Sequence, residues 1–133
     1  MKSYKTPLRY PGGKSKATKT LAPWFPNDFD EYREPFTGGG SVAFYATQAY
    51  PHIPIWINDL YVPLYNFWIH LRDNGEELSE LLYEVKSKAC DFQTEEERDK
   101  SHRDLFDKTK NEINQQDGLE RAVSFFVLNK CSF

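Results

Sequence analysis

The stretch that most constrains this chain is Glu34-Pro35-Phe36-Thr37-Gly38-Gly39-Gly40-Ser41-Val42-Ala43. Tyr32 to Phe36 has strand character, the glycines can only be a tight turn, and Ser41 is placed to cap a helix running to about Tyr50. Gly38, Gly40 and Ala43 meet the G-x-G-x-x-G/A spacing, in which a sharp turn lets backbone approach a ligand and the following helix offers unpaired N–H groups. Pro54-Ile55-Trp56-Ile57 reads as a second buried strand closed by Asn58-Asp59. A β-α-β unit results. Asp59 lies 19 residues beyond Gly40, close to the roughly 20-residue spacing at which an acid reaches ribose hydroxyls. The same residues would also serve a plain tight turn with Asp59 capping the next helix. The spacing would suit NAD as well as another adenosine cofactor, although Glu34-Pro35 interrupts the apolar run that normally enters a dinucleotide turn.

A second glycine turn precedes the first. Tyr10-Pro11-Gly12-Gly13-Lys14-Ser15 ends like a phosphate-binding loop, but position 8, where a Walker A motif needs glycine, is Leu8. Lys14 therefore reads either as one cation on a Gly-rich turn, suited to a carboxylate or phosphate oxygen, or as a solvated lysine. The first twenty residues hold Lys2, Lys5, Arg9, Lys14, Lys16 and Lys19 and no acid, while the rest of the chain carries a net −9. Such a segment attracts phosphate or carboxylate, or simply solubilises an arm. A helix is expected from Lys14 to Phe25, stopped by Pro23 and Pro26.

Beyond Leu60 strand signals cease and helical periods take over. Leu64, Trp68 and Leu71 share a face, as do Leu78, Leu81, Leu82, Val85 and Ala89 after an Asn74-Gly75 break. Glu95 to Gly118 reads as a solvent-washed helix or helix pair anchored by Leu105, Phe106 and Ile113, with Asp104 and Lys108 as an i,i+4 pair. Leu119, Ala122, Val123, Phe126 and Val127 mark a core-facing last helix. The expected division is 1–60 and 61–133. With 133 residues and 39% hydrophobic content the chain has material for one ordinary core, and the 16% aromatic share suggests stacking surface besides. No apolar run approaches a membrane span and no leader follows Met1-Lys2-Ser3, so a cytoplasmic protein is expected. Cys90 and Cys131, without metal-ligand spacing, are expected to be free thiols, and no metal site is expected.

Leu8-Arg9-Tyr10-Pro11-Gly12-Gly13-Lys14, Glu34 to Ser41, and Ile57-Asn58-Asp59 occur in the order and spacing of the adenine-specific DNA N6-methyltransferases of the DNA adenine methylase (D12) type, which the chain resembles along nearly its whole length. Leu128-Asn129-Lys130-Cys131-Ser132-Phe133 is similar to the Leu-Asn-Arg-plus-aromatic segment of that family. The resemblance implies an α/β, Rossmann-like S-adenosylmethionine-dependent methyltransferase fold with a helical second half. It implies that Tyr10 with Pro11, Gly12 and Gly13 borders the cofactor and that Lys14 helps bind it. Glu34, Pro35, Phe36, Gly38, Gly39, Gly40 and Ser41 would wrap its methionine part and adenosine, with Asp59 on the ribose. Residues 61–133 would begin the part that contacts double-stranded DNA, from which an adenine is flipped. The Asp-Pro-Pro-Tyr or Asn-Pro-Pro-Tyr motif of that family, which grips the target amino group, is absent from the sequence. The expectation is thus a truncated, separately inactive part with no catalytic residue of its own, completed by a second chain, or else a non-catalytic module binding cofactor, DNA or a partner.

Overall fold

A computed structural model describes residues 4–89 and 92–131; Cys90 and the ends of the sequence lie outside them. The chain divides into two compact units, residues 1–60 and 61–133.

The first unit contains α1 (Thr18–Leu21), a 3-10 turn over Ala22–Trp24, β1 (Tyr32–Glu34), α2 (Ser41–Ala49) and β2 (Ile55–Ile57). Its sheet is two parallel strands in which Tyr32, Arg33 and Glu34 face Ile55, Trp56 and Ile57. The ladder runs on past both strands. Tyr32 N–H donates to Pro54 O, Asn58 N–H to Glu34 O and Thr37 N–H to Asn58 O, at 2.9–3.0 Å. The helix expected from Lys14 begins only at Thr18, because the Gly-Gly turn and hydroxyl bonds take up the backbone first: Thr18 Oγ1 and N–H both donate to Lys14 O. Pro23 then tightens its end into the 3-10 turn.

Ser41 is not the helix cap. Gly40 holds that place in the left-handed region at φ 68°, where a side chain would be strained, and Ser41 is the first helical residue. The core here is small: Leu8, Val42, Ala43 and Ala46. Beside it Phe25 gathers Phe29, Tyr32, Tyr45 and Tyr50 at ring centroid distances of 5.6–6.3 Å. The segment before α1 is tied down by Gln48, whose side-chain oxygen accepts from Tyr4 N–H and whose amide N–H donates to Tyr4 O.

The second unit is helical: α3 (Val62–Asp73), α4 (Gly75–Lys88), α5 (Glu95–Glu112) and α6 (Gly118–Cys131), with α6 packing against the other three. Leu64, Phe67, Trp68, Leu78, Ile113, Phe125 and Val127 form its core. Two expected stripes are rotated. On α6 Phe125 is buried where Phe126 and Val123 are only half-buried, and on α3 Phe67 replaces Leu71 as the central residue. Phe67 reaches Phe125 at 5.5 Å and Phe126 at 5.8 Å, so edge and face contacts between rings set the facing. On α4 only Leu78 is fully buried; Leu81, Leu82, Val85 and Ala89 are half-buried.

α5 is one helix, opened by a capping box in which Thr94 and Glu97 satisfy each other's backbone N–H. Its ion pairs join Arg98 to Glu95 and Asp99, not Asp104 to Lys108. Asn66 on α3 donates to Gly118 O at 2.7 Å, fixing the start of α6. Cys131 is a free thiol whose pKa burial pushes up. Among the described residues no helix is long and apolar enough to cross a membrane, and no cluster of His, Cys, Asp and Glu could hold a metal ion.

Candidate functional site

The two glycine turns of the first unit meet. Tyr10-Pro11-Gly12-Gly13 closes with Gly13 N–H on Tyr10 O at 2.9 Å and Gly12 at φ 71°. Proline followed by a left-handed glycine is what that turn requires, and it throws Lys14 out beyond it. In the second turn Gly40 N–H returns to Thr37 O, and the buried Thr37 hydroxyl donates to Glu34 O. Tyr10 lies across this second turn. A Cβ on Gly39 would stand 2.8 Å from Tyr10 Cβ, and one on Gly38 would stand 3.0 Å from its ring. Glycine is therefore a packing requirement here as much as a backbone one. Ser15 Oγ and Ser41 Oγ, 2.7 Å apart, bind the loops together a second time.

Nine of the thirteen residues expected in the site wall one hollow of about 80 Å³. Tyr10, Gly12, Gly13 and Lys14 come from the first turn, and Glu34, Phe36, Gly38, Gly39 and Ser41 from β1 and the second. Pro11, Pro35 and Gly40 shape the turns without walling it. Asp59 also stands outside the wall, behind the loop, where its Oδ2 accepts from Gly38 N–H at 2.9 Å. Thr37 and Val42 line the hollow although the sequence reading passed over them. Thr37 sat inside the motif and its buried hydroxyl could have been suspected; Val42 gave no signal beyond its place in the first turn of the helix.

Glu34 dominates the electrostatics. The residue is only 8% exposed. Its Oε1 lies 3.8 Å from Lys14 Nζ, while its Oε2 is buried without a hydrogen-bonding partner. Burial raises its pKa above the ordinary 4.5, against the opposing pull of the Lys14 charge. The Tyr32 hydroxyl and the Ala43 amide lower it further, yet neither closes a bond on Oε2. Tyr32, two residues back on the same side of β1, is itself pushed up to about 12 by its own burial and by the Glu34 charge. A buried carboxylate oxygen that lacks a donor costs free energy until one arrives. An ammonium group entering the hollow would supply that donor, and Lys14, half-exposed at the mouth, would meet a carboxylate on the same ligand. An α-amino acid carries both groups. The hollow is several times smaller than the roughly 300–1,000 Å³ of a site enclosing a whole cofactor, so it suits the amino-acid end of one.

On its far side Val42 also walls a wider apolar hollow of about 350 Å³, shared with Leu21, Trp24, Phe25, Phe29 and Tyr32.

Comparison with known proteins gives two matches. A family model described as D12 class N6 adenine-specific DNA methyltransferase fits residues 10–133. Type II methyltransferase M.MjaIII of Methanocaldococcus jannaschii is 28% identical over 133 residues, covering 95% of this chain and 45% of that protein. The chain spans less than half the length of the curated relative it matches.

Proposed function

Because the chain belongs to the family of D12 class N6 adenine-specific DNA methyltransferases, we propose that residues 1–60 bind S-adenosylmethionine as the cofactor end of an enzyme that methylates adenine N6 in DNA. The observation that carries this reading is the unpartnered, buried Oε2 of Glu34 beside Lys14. Glu34 would accept from the ammonium of the methionine part, and Lys14 would neutralise its carboxylate. The Gly38-Gly39-Gly40 turn lets backbone come close, and Tyr10, packed over that turn, would border the ligand. Asp59 has two tasks: it holds Gly38, and at the carboxyl end of β2 it would take the ribose hydroxyls. The β-α-β order supports reading the unit as the start of a Rossmann-like sheet, with residues 61–133 beginning the DNA-contacting region.

When bound, S-adenosylmethionine supplies a methyl group activated on a sulfonium. The residues of this chain bind and orient it, so that transfer gains from proximity. The target amino group is the task of a Pro-Pro-aromatic motif that these 133 residues do not contain, and a second polypeptide segment would supply it.

Isothermal titration of the chain with S-adenosylmethionine, with NAD as competitor, tests the cofactor. Saturable binding that NAD does not displace is the expected result, and no binding would overturn the reading. Co-expression with a segment carrying the Pro-Pro-aromatic motif should restore adenine methylation in DNA. A module with a purely binding role would stay silent in that assay.

A further inference from the structure

The charge of the chain is unevenly divided between its two units. Residues 1–60 carry seven basic and five acidic side chains, net +2, whereas residues 61–133 carry ten and fifteen, net −5. The positive excess is concentrated. From position 4 to position 27 stand Lys5, Arg9, Lys14, Lys16 and Lys19 with no acid among them, and all five are exposed. Lys14 is engaged with Glu34, but among the described residues Lys5, Lys16 and Lys19 enter no ion pair. In the second unit Arg72, Lys88 and Arg98 are each answered by a neighbouring carboxylate and Lys130 lies over the Phe126 ring, while Lys86, Lys100, Arg103, Lys108 and Lys110, though in no ion pair among the described residues, stand in a stretch that carries fifteen acids.

The basic loop is anchored. The Tyr10–Gly13 turn, the two Thr18 bonds to Lys14 O and the Ser15–Ser41 hydroxyl pair fix it against the glycine turn of the cofactor hollow. Lys16 and Lys19 follow Lys14 closely in sequence yet do not wall that hollow, so the cofactor reading leaves them unused. Charges on a fixed loop lose less freedom on binding than charges on a loose tail.

We infer that Lys16 and Lys19 form the surface that takes the phosphate backbone of duplex DNA, beside the loop that carries Lys14. The inference rests on the reading of the chain as part of a DNA methyltransferase. Lysine is a compact point charge suited to phosphate oxygens, and such contacts position a duplex without reading its sequence. The net −5 of residues 61–133 disfavours phosphate contact there, so the backbone contacts are placed on the loop, and the DNA contacts proposed for the helical unit are ones other than to phosphate.

Each phosphate neutralised steepens the fall of log affinity with log salt by about 0.9. Fluorescence anisotropy of a labelled duplex, titrated with the 133-residue chain from about 50 to 200 mM salt, reads that slope. Lys16→Gln with Lys19→Gln should lower it by roughly 1 to 2, leave the circular dichroism melt in place and leave S-adenosylmethionine titration unchanged. Lys100→Gln with Lys108→Gln on α5 should leave the slope alone. An unchanged slope in the first pair, or an equal drop in the second, overturns the assignment while the cofactor reading stands. If the unaltered chain binds no duplex even at low salt, the assignment falls together with the DNA part of the proposed function, and the cofactor titration on the same sample shows whether the rest survives.

Discussion

The two units use their residues in opposite ways. The second buries large side chains: Leu64, Phe67 and Leu78 are almost wholly out of water, each contributing about 1.5–3 kcal/mol of apolar burial. The first places small residues, Ala43 and Ala46, at its centre, turns its backbone through glycines, and keeps inside it a carboxylate with one oxygen unsatisfied. The comparison teaches that stability and chemistry are separated along the chain. A helical unit can lose a contact and remain a helix bundle. A unit of two three-residue strands and two turns has no such margin, and its strained or unsatisfied groups are where a ligand would act.

Substitutions can break or sharpen that division. The largest effect is expected from Phe67→Ala, which should cost about 3–5 kcal/mol in urea unfolding followed by circular dichroism. The molecules that remain folded should bind cofactor as before; a parallel loss of affinity would mean that the units are not independent.

Next comes Asp59→Ala, which removes the acceptor of Gly38 N–H and should weaken S-adenosylmethionine binding by about 1–3 kcal/mol on titration. Asp59→Asn, which keeps an acceptor oxygen, should recover part of it.

Glu34→Gln should lower cofactor affinity about tenfold or more while the melting temperature at neutral pH holds or rises. The sign follows from the raised pKa. Below 4.5 the group is protonated whether the chain is folded or not. As pH climbs, the unfolded chain ionises first, so stability falls until the raised folded pKa is reached, and the full cost persists above it at neutral pH. Glutamine carries no such cost. For the same reason wild-type affinity should fade as pH drops through the raised value, a profile that Glu34→Gln should flatten. A lowered neutral-pH melt in Glu34→Gln would show that Glu34 supports the fold and so erase the contrast.

The smallest effect is Thr94→Ala, about 0.5–2 kcal/mol from α5 alone, measurable as faster amide exchange in its first turn with cofactor affinity untouched.

Much of this was legible in the sequence where the cause is local. Pro11-Gly12 dictates its own turn, and Glu34 to Ala43 dictates strand, turn and helix, so nine expected residues do share one hollow. The capping box at Thr94 and Glu97 was equally local and was missed because the dense charge of that segment masked it. What could not be read was long-range. Ser41 is drawn to Ser15 across 26 positions and so does not cap its helix. Asp59 spends an oxygen on Gly38, which spacing alone cannot distinguish from a ribose contact. The true inner faces of α3 and α6 follow from ring packing around Phe67, where periodicity leaves neighbouring faces nearly equivalent.

Val42 belongs to the walls of two hollows in the first unit, one polar and one oily. Trimming it to alanine would enlarge both at once, so position 42 is where a single substitution would retune what either chamber admits.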